Sequence, residues 1–225
     1  MHVRVYGVQP DEMPTYEAAK EKYGFTFEFE KTPLSEETAD QVKGCEGLII
    51  LTNCHVTEPV AKTLAANGVK YIACRSAGSD HVDYAAVTKY GMQCAHVPAY
   101  APEAISEHTV MLALEVLRHA KLCARKVEEG DFTMAGLKGR QLGNLTAGVL
   151  GTGRIGRVTM SILNGFGTKV LGWDPFPNDA AAKLCTYVEK EELLKTADIV
   201  FLHCPLTDDS YHTINEETLA MMKPG

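Results

Sequence analysis

The chain has 225 residues, 45% of them apolar and 23% charged, with a formal net charge of −7. That balance excludes a disordered chain, and without a basic block it excludes nucleic acid or an anionic membrane as the expected partner. The seven cysteines include no C-x-x-C pair, so they read as reduced thiols, and no metal-ligand spacing is present.

The opening residues, Met1 to Val8, have the alternation of a strand and no long apolar core. Neither a signal peptide nor a membrane anchor is expected, and the reading is cytoplasmic. Met13 to Tyr23 is predicted helical, with Pro14 in its first turn and Gly24 as its stop. Phe25 to Phe29 alternates as a second strand. Ser35-Glu-Glu-Thr38 predicts a capped short helix through Val42. Gly47 to Leu51 is a buried parallel strand, Glu58 to Asn67 a helix stopped by Gly68, and Val69 to Ala73 another buried strand. Asp83 to Tyr90 is a helix stopped by Gly91, and Met92 to His96 a last short strand. Strands alternating with helices imply a parallel sheet covered on both faces.

Val97-Pro-Ala-Tyr-Ala-Pro102 places two prolines in six residues, a stiff crossing between domains. The expected division is residues 1–100 as one domain and 101–225 as a second. A long helix from Glu103 to Arg118 follows, with Ile105, Thr109, Leu112, Val116 and His119 along one face. Residues 121–145 read as an extended arm carrying Phe132, Met134 and Leu137. Such a surface meets a second subunit or a loop of its own chain. The second sheet is expected at 147–151, 169–173, 186–188 and 198–203, with helices near 154–165, 189–196 and 215–223.

Within that sheet, Ala147-Gly-Val-Leu-Gly151-Thr-Gly153-Arg-Ile-Gly156-Arg places G-x-G-x-x-G between a strand and a helix. Gly151 takes the tight turn, Gly153 lets the backbone approach a phosphate, and Gly156 seats the helix on the strand. The first helical turn offers the N–H groups of Arg154 and Ile155 to an anion. Eighteen positions past Gly156, Asp174 ends the next strand. A carboxylate there accepts from the ribose hydroxyls of adenosine and repels a 2′-phosphate, so the cofactor read from these residues is NAD rather than NADP.

Three other stretches have two readings each. His203-Cys204-Pro205 ends a buried strand, where it either lines the adenosine or caps the strand. Cys74-Arg75-Ser-Ala77-Gly78 follows another strand, as an ordinary turn or as free N–H groups for a carboxylate. Arg75 there contributes charge or is solvated. Tyr100, between the prolines, reaches a ligand or packs in the hinge. The histidines at 2, 55, 81, 96, 108, 119 and 212 have no partner visible in the sequence and read as structural or solvated.

Residues 75–83, 97–108, 151–157, 173–174 and 202–205 together resemble the D-isomer-specific 2-hydroxyacid dehydrogenases, within them the D-lactate, (R)-2-hydroxyglutarate and 2-hydroxyisocaproate branch. The resemblance implies two doubly wound parallel-sheet domains, a flavodoxin-like substrate domain and an incomplete Rossmann NAD-binding domain, with 103–145 as linker helix and arm. It implies NAD-dependent hydride transfer between a (R)-2-hydroxy acid and its 2-oxo acid. By it, Ala77 and Gly78 hold the substrate carboxylate and Tyr100 lines the substrate pocket. Gly151, Gly153, Arg154, Ile155, Gly156, Asp174, His203, Cys204 and Pro205 lie along the cofactor. Ser210 stands where relatives carry Asn near the cofactor, and His81 where many carry Asn. A homodimer through 103–145 is implied. So are a catalytic Arg, Glu and His that match no residue up to Gly225. The expectation is therefore a dehydrogenase by family and, as the alternative, a truncated fragment that binds NAD(H) or a partner without turnover.

Overall fold

The computed structural model describes residues 1–98 and 100–224; Ala99, inside the proline-flanked crossing, and Gly225 lie outside the described residues. The chain divides into two compact units, Met1–Tyr100 and Ala101–Gly225.

In the first unit, strands β1 (His2–Tyr6), β2 (Thr26–Glu30), β3 (Gly47–Ile50), β4 (Tyr71–Cys74) and β5 (Gln93–Ala95) form one parallel sheet in the order β2-β1-β3-β4-β5. That is the flavodoxin-like strand order, which leaves ligand sites at the carboxyl ends of the strands. The side chains of Leu48, Ile50, Ile72 and Cys74 point to one face and are buried with Val60, Leu64 and Val87 from helices α2 (Glu58–Ala66) and α3 (Tyr84–Lys89). On the other face, helix α1 (Met13–Tyr23) lays Tyr16 edge-on against Phe27 and Phe29, at centroid distances of 5.3 and 5.4 Å. Beyond α1 this face is open. Tyr71 is 47% exposed there, beside a concavity of about 670 Å³.

In the second unit, helices α4 (Pro102–Leu117) and α5 (Ala120–Glu128) precede strand β6 (Thr146–Leu150). Then come α6 (Arg154–Gly165), β7 (Lys169–Trp173), α7 (Asp179–Ala182), β8 (Thr186–Tyr187), α8 (Lys190–Thr196), β9 (Ile199–Leu202) and α9 (Glu216–Met221). The four strands are parallel in the order β8-β7-β6-β9. Counted within the unit this is 3-2-1-4, the beginning of a Rossmann sheet. No helix among the described residues is long and apolar enough to cross a membrane.

Four local features correct the expectations or add to them. Residues 35–42 form no α-helix. Thr38 ties the turn through its hydroxyl, with Ser35 N–H donating to it at 2.9 Å, and only Ala39–Val42 coils, as a 3₁₀ turn. Helix α4 buries Ser106, Val110 and Ala113, and the stripe of Ile105, Leu112 and Val116 lies on its outer side, Leu112 47% and Val116 74% exposed. The region after it is no extended arm. Residues 120–128 are helical, and the following segment folds back because the buried Lys126 ammonium binds Asp131 at 2.7 Å and donates to Thr133 and Ala135. That ammonium, with the Thr133 N–H, holds the exposed Asp131 carboxyl down at about 2. The short helix α7 was not expected; Asn178 starts it by accepting from Ala181 N–H at 3.0 Å.

Asp198 joins three parts of the second unit. Its carboxylate accepts from Thr146 N–H at 2.9 Å, Arg140 at 3.1 Å and Lys223 at 3.3 Å. The Thr146 N–H foremost, then the two cations, holds its carboxyl below the usual range. A depressed carboxyl pKa stabilises above the unfolded value and loses that stabilisation as pH falls through the folded value. Asp198→Asn is expected to cost about 1–2 kcal/mol in urea unfolding at pH 7. The difference from wild type should shrink as pH falls below about 4; an undiminished difference at pH 3 would refute the ionic assignment.

Candidate functional site

Strand β6 feeds helix α6 through a turn that leaves no room for a side chain at Gly151 or Gly156. Gly151 sits at φ +94°, and a Cβ there would stand 2.6 Å from the Cys204 nitrogen and 2.7 Å from the His203 oxygen. A Cβ on Gly156 would lie 2.1 Å from the Gly151 oxygen. Backbone on backbone thus fixes the start of α6 against the ends of β6 and β9. Gly153 differs: it is the N-cap of α6, it lends no side-chain cap, and a Cβ on it would meet nothing within 4 Å. The space above it is open, a cradle opposite the unbonded N–H groups of a helix start.

Asp174, just past β7, faces the same turn. Its Oδ2 accepts from Thr152 N–H at 2.6 Å and from the Thr152 hydroxyl at 3.1 Å, and its Oδ1 accepts from Phe176 N–H at 2.9 Å. The relay runs further. Tyr187 Oη lies 2.7 Å from the Thr152 hydroxyl, and Asn178 N–H donates to Tyr187 Oη at 3.2 Å. Thr152 is fully buried. Sequence reading passed over Thr152, Asn178 and Tyr187, whose only visible signal is a threonine inside the glycine motif.

His203 reaches α6 with its ring, Nε2 lying 2.9 Å from the Thr159 hydroxyl, while its N–H donates to Leu150 at 2.7 Å. Burial pushes its imidazole below the ordinary value, toward the neutral form. What His203 presents at the strand end is therefore main chain. Ser210 closes the loop behind Pro205: its hydroxyl donates to the Pro205 carbonyl at 2.5 Å and accepts from Thr207 N–H at 2.7 Å. The Ile155 carbonyl accepts from the buried Ser106 hydroxyl at 3.0 Å, which ties α4 to α6. So Gly151, Gly153, Arg154, Ile155, Gly156, Asp174, His203 and Cys204 converge at the ends of β6, β7 and β9, with Pro205 and Ser210 in the loop beyond.

In the first unit, the loop after β4 carries Ala77 and Gly78 exposed. The Ser76 hydroxyl donates to the Gly78 carbonyl at 2.7 Å, and the His96 ring lies 3.0 Å from the Ala77 carbonyl. The carbonyls are thereby occupied, and among the described residues no acceptor meets the two amide N–H groups. Arg75 is a strut: it pairs with Glu12 and donates to the carbonyls of Tyr6 at 3.0 Å and Gly7 at 3.1 Å. Gln9 N–H first, and Arg75 second, keep the Glu12 carboxyl below its ordinary range. His81 is buried with neither ring nitrogen partnered among the described residues, and burial lowers its pKa. Tyr100 is 69% exposed.

Residues 110–225 match the family model for the NAD binding domain of D-isomer specific 2-hydroxyacid dehydrogenases. The aromatic 2-oxoacid reductase of Clostridium sporogenes is 40% identical over 226 aligned residues, which cover 100% of this chain and 68% of that protein. The solved D-lactate dehydrogenase of Escherichia coli superposes with a TM-score of 0.86 at 38% identity, over 99% of this chain and 71% of that one. The D-lactate dehydrogenase of Aquifex aeolicus, solved with NAD and lactic acid, gives 0.88 at 32% identity, over 99% and 66%. The cradle above Gly153 and the carboxylate beside it fit that cofactor.

Gly153→Ala should leave the melting temperature of the free protein within about 1 °C, since its Cβ meets nothing, while weakening NADH at least about tenfold, or 1.4 kcal/mol. Gly151→Ala should instead lower the melting temperature, by about 1–3 kcal/mol of strain. Fluorescence titration and thermal melts read both; a Gly153→Ala protein with unchanged NADH affinity would remove Gly153 from the site.

Proposed function

The chain belongs to the D-isomer specific 2-hydroxyacid dehydrogenases, and from that premise we propose that it carries the cofactor- and carboxylate-binding parts of an NAD-dependent oxidoreductase. The reaction is the interconversion of a (R)-2-hydroxy acid and its 2-oxo acid. The observation that carries the reading is the open cradle above Gly153 beside the oriented Asp174 carboxylate. NAD(H), when bound, supplies or accepts the hydride.

The residues then divide the work. The N–H groups of Arg154 and Ile155 meet the pyrophosphate, helped by the helix dipole. Asp174 keeps acceptor capacity on Oδ1, which takes a single internal donor, and turns it to a ribose hydroxyl. Backbone at His203, Cys204 and Pro205, with Ser210 locking the loop, borders the cofactor. The free amides of Ala77 and Gly78 hold the substrate carboxylate, and Tyr100 lines the substrate pocket. Residues 1–100 are the substrate domain and 101–225 the NAD domain. Ile105, Leu112 and Val116 on α4, with Phe132 at 80% and Met134 at 75% exposure, support a homodimer through 103–145. The seven free thiols support a cytoplasmic setting.

The chain spans about two thirds of the length of the relatives it matches; a second reading is NAD(H) binding without turnover. Two measurements separate the readings. NADH is expected to quench or enhance protein fluorescence saturably, with NADPH at least about 100-fold weaker, or 2.7 kcal/mol, because the carboxylate repels a 2′-phosphate; Asp174→Ala should erase most of that preference. Equal affinity for both nucleotides would overturn the cofactor assignment. NADH oxidation with pyruvate or an aromatic 2-oxo acid then reports turnover, and binding without oxidation selects the second reading.

The dimer has its own check. Sedimentation should give twice the 24.5 kDa chain mass, and the double substitution Leu112→Glu with Val116→Glu should return it to one chain. A wild-type monomer would dismiss the interface.

A further inference from the structure

At the amino end of the sheet in the first unit, three chemically different donors converge. The His2 ring nitrogens, a Glu28 carboxylate oxygen and the Cys45 sulfur include one atom each that all lie within 4.8 Å of one another. The parallel register brings them there: β1 pairs with β2 so that His2 stands beside Thr26 and Arg4 beside Glu28. Cys45 precedes β3, and its neighbour Glu46 donates its N–H to the His2 carbonyl at 2.9 Å. The positions 2, 28 and 45 are too far apart to form any spacing motif, which is why the sequence shows none.

We propose that His2, Glu28 and Cys45 form a binding site for a soft divalent cation of the zinc type, a clip that ties β1, β2 and the segment before β3 together. The distances fit such an ion. His2 Nε2 is 3.6 Å from Glu28 Oε2, and Cys45 Sγ is 3.9 Å from the same oxygen. Zinc bonds of about 2.1 Å to N and O and about 2.3 Å to S, at tetrahedral angles, put those pairs about 3.4 and 3.6 Å apart. These two pairs need to close by only a few tenths of an ångström, and the His2–Cys45 pair lies within 4.8 Å, against about 3.6 Å on such an ion.

A supporting shell is present. The other ring nitrogen of His2, Nδ1, lies 2.8 Å from the Thr26 hydroxyl. A ring that donates from Nδ1 leaves Nε2 with its lone pair toward Glu28, as metal-bound imidazoles are ordinarily held. The Arg4 guanidinium donates to Glu28 Oε1 at 2.7 Å and Oε2 at 3.2 Å, which fixes the carboxylate. Cys45 is 1% exposed, and burial, ahead of every other influence, keeps its thiol protonated. Ligation breaks the S–H bond heterolytically: the sulfur lone pair forms the metal–sulfur bond, the proton leaves to solvent, and no redox change occurs. Thiolate and carboxylate then balance the ion's two charges, and Arg4 adds one more positive charge. That repulsion disfavours hard ions held by charge alone and leaves those with a strong thiolate bond. The fourth position takes water.

The test uses Co(II) on the whole, reduced, metal-free chain. One equivalent is expected to bind with a near-ultraviolet sulfur-to-cobalt charge-transfer band and the visible bands of a four-coordinate ion. Zn(II) should displace it, and a hundredfold excess of Mg(II) or Ca(II) should not. Cys45→Ser should abolish the band, His2→Gln should weaken binding at least tenfold, and Thr26→Val should weaken it about tenfold through the lost ring support. Cys123→Ser, an exposed thiol of the other unit, should change nothing. Should Cys45→Ser fail to fold, His2→Gln at the strand's first residue carries the test alone. Absence of the band, its persistence in Cys45→Ser, its loss in Cys123→Ser, or undiminished binding by His2→Gln would overturn the site.

Discussion

The second unit depends on an approach of main chain to main chain so close that hydrogen alone can serve as the side chain. The Gly151 oxygen sits where a Cβ of Gly156 would be, and residues 203–204 sit where a Cβ of Gly151 would be. A helix packed on a sheet is ordinarily held off it by interdigitating side chains. Here that spacer is missing, so the amino end of α6 comes down onto the strand ends. The helix start is brought to the crevice without any side chain to cap it, and its N–H groups remain for a ligand. Asp174, Thr152, Tyr187 and Asn178, hydrogen-bonded to one another, are then arranged beside that fixed point.

The two units handle charge in different ways. In the first, Arg75 spends its guanidinium on Glu12 and two carbonyls at the end of β1, so the loop after β4 offers main-chain amides rather than a cation. Neutral donors of that kind bind an anion less tightly than a buried ion pair does. In the second, the charge at the crevice is negative and held in place by three donors from Thr152 and Phe176. A fixed anion costs little further ordering when a hydroxyl docks on it.

Most of the architecture was legible because each signal was local. The glycine turn, the acid on the next strand, the stops at Gly24, Gly68 and Gly91, and the alternation of short apolar runs with helices all act over a few residues. The buried face of helix α4 was not legible because apolar residues surround it. Val110 and Ala113 are buried while Ile105, Met111, Leu112 and Val116 lie on the outer side, so periodicity alone does not choose the inner face. The relay from Asn178 through Tyr187 to Thr152, the Lys126 tether and the Arg75 strut were illegible for a different reason. Their partners lie far along the chain or are carbonyl oxygens, which leave no mark in a residue pattern. Polar groups drawn inward must find such partners, yet which partners they find is decided only by the packed fold.

Strand β9 pairs with β6 on one side, and among the described residues nothing pairs with its other side. A bare strand edge is a template on which foreign chains can grow, and long apolar ones seed aggregates. This edge is short, and it is hemmed in. Pro205, lacking an N–H, follows its carboxyl end, while the Asp198 carboxylate with Arg140 and Lys223 guards its amino end. Those flanking residues act as gatekeepers, so the half-exposed Leu202 is left without a run of neighbours long enough to nucleate a fibril.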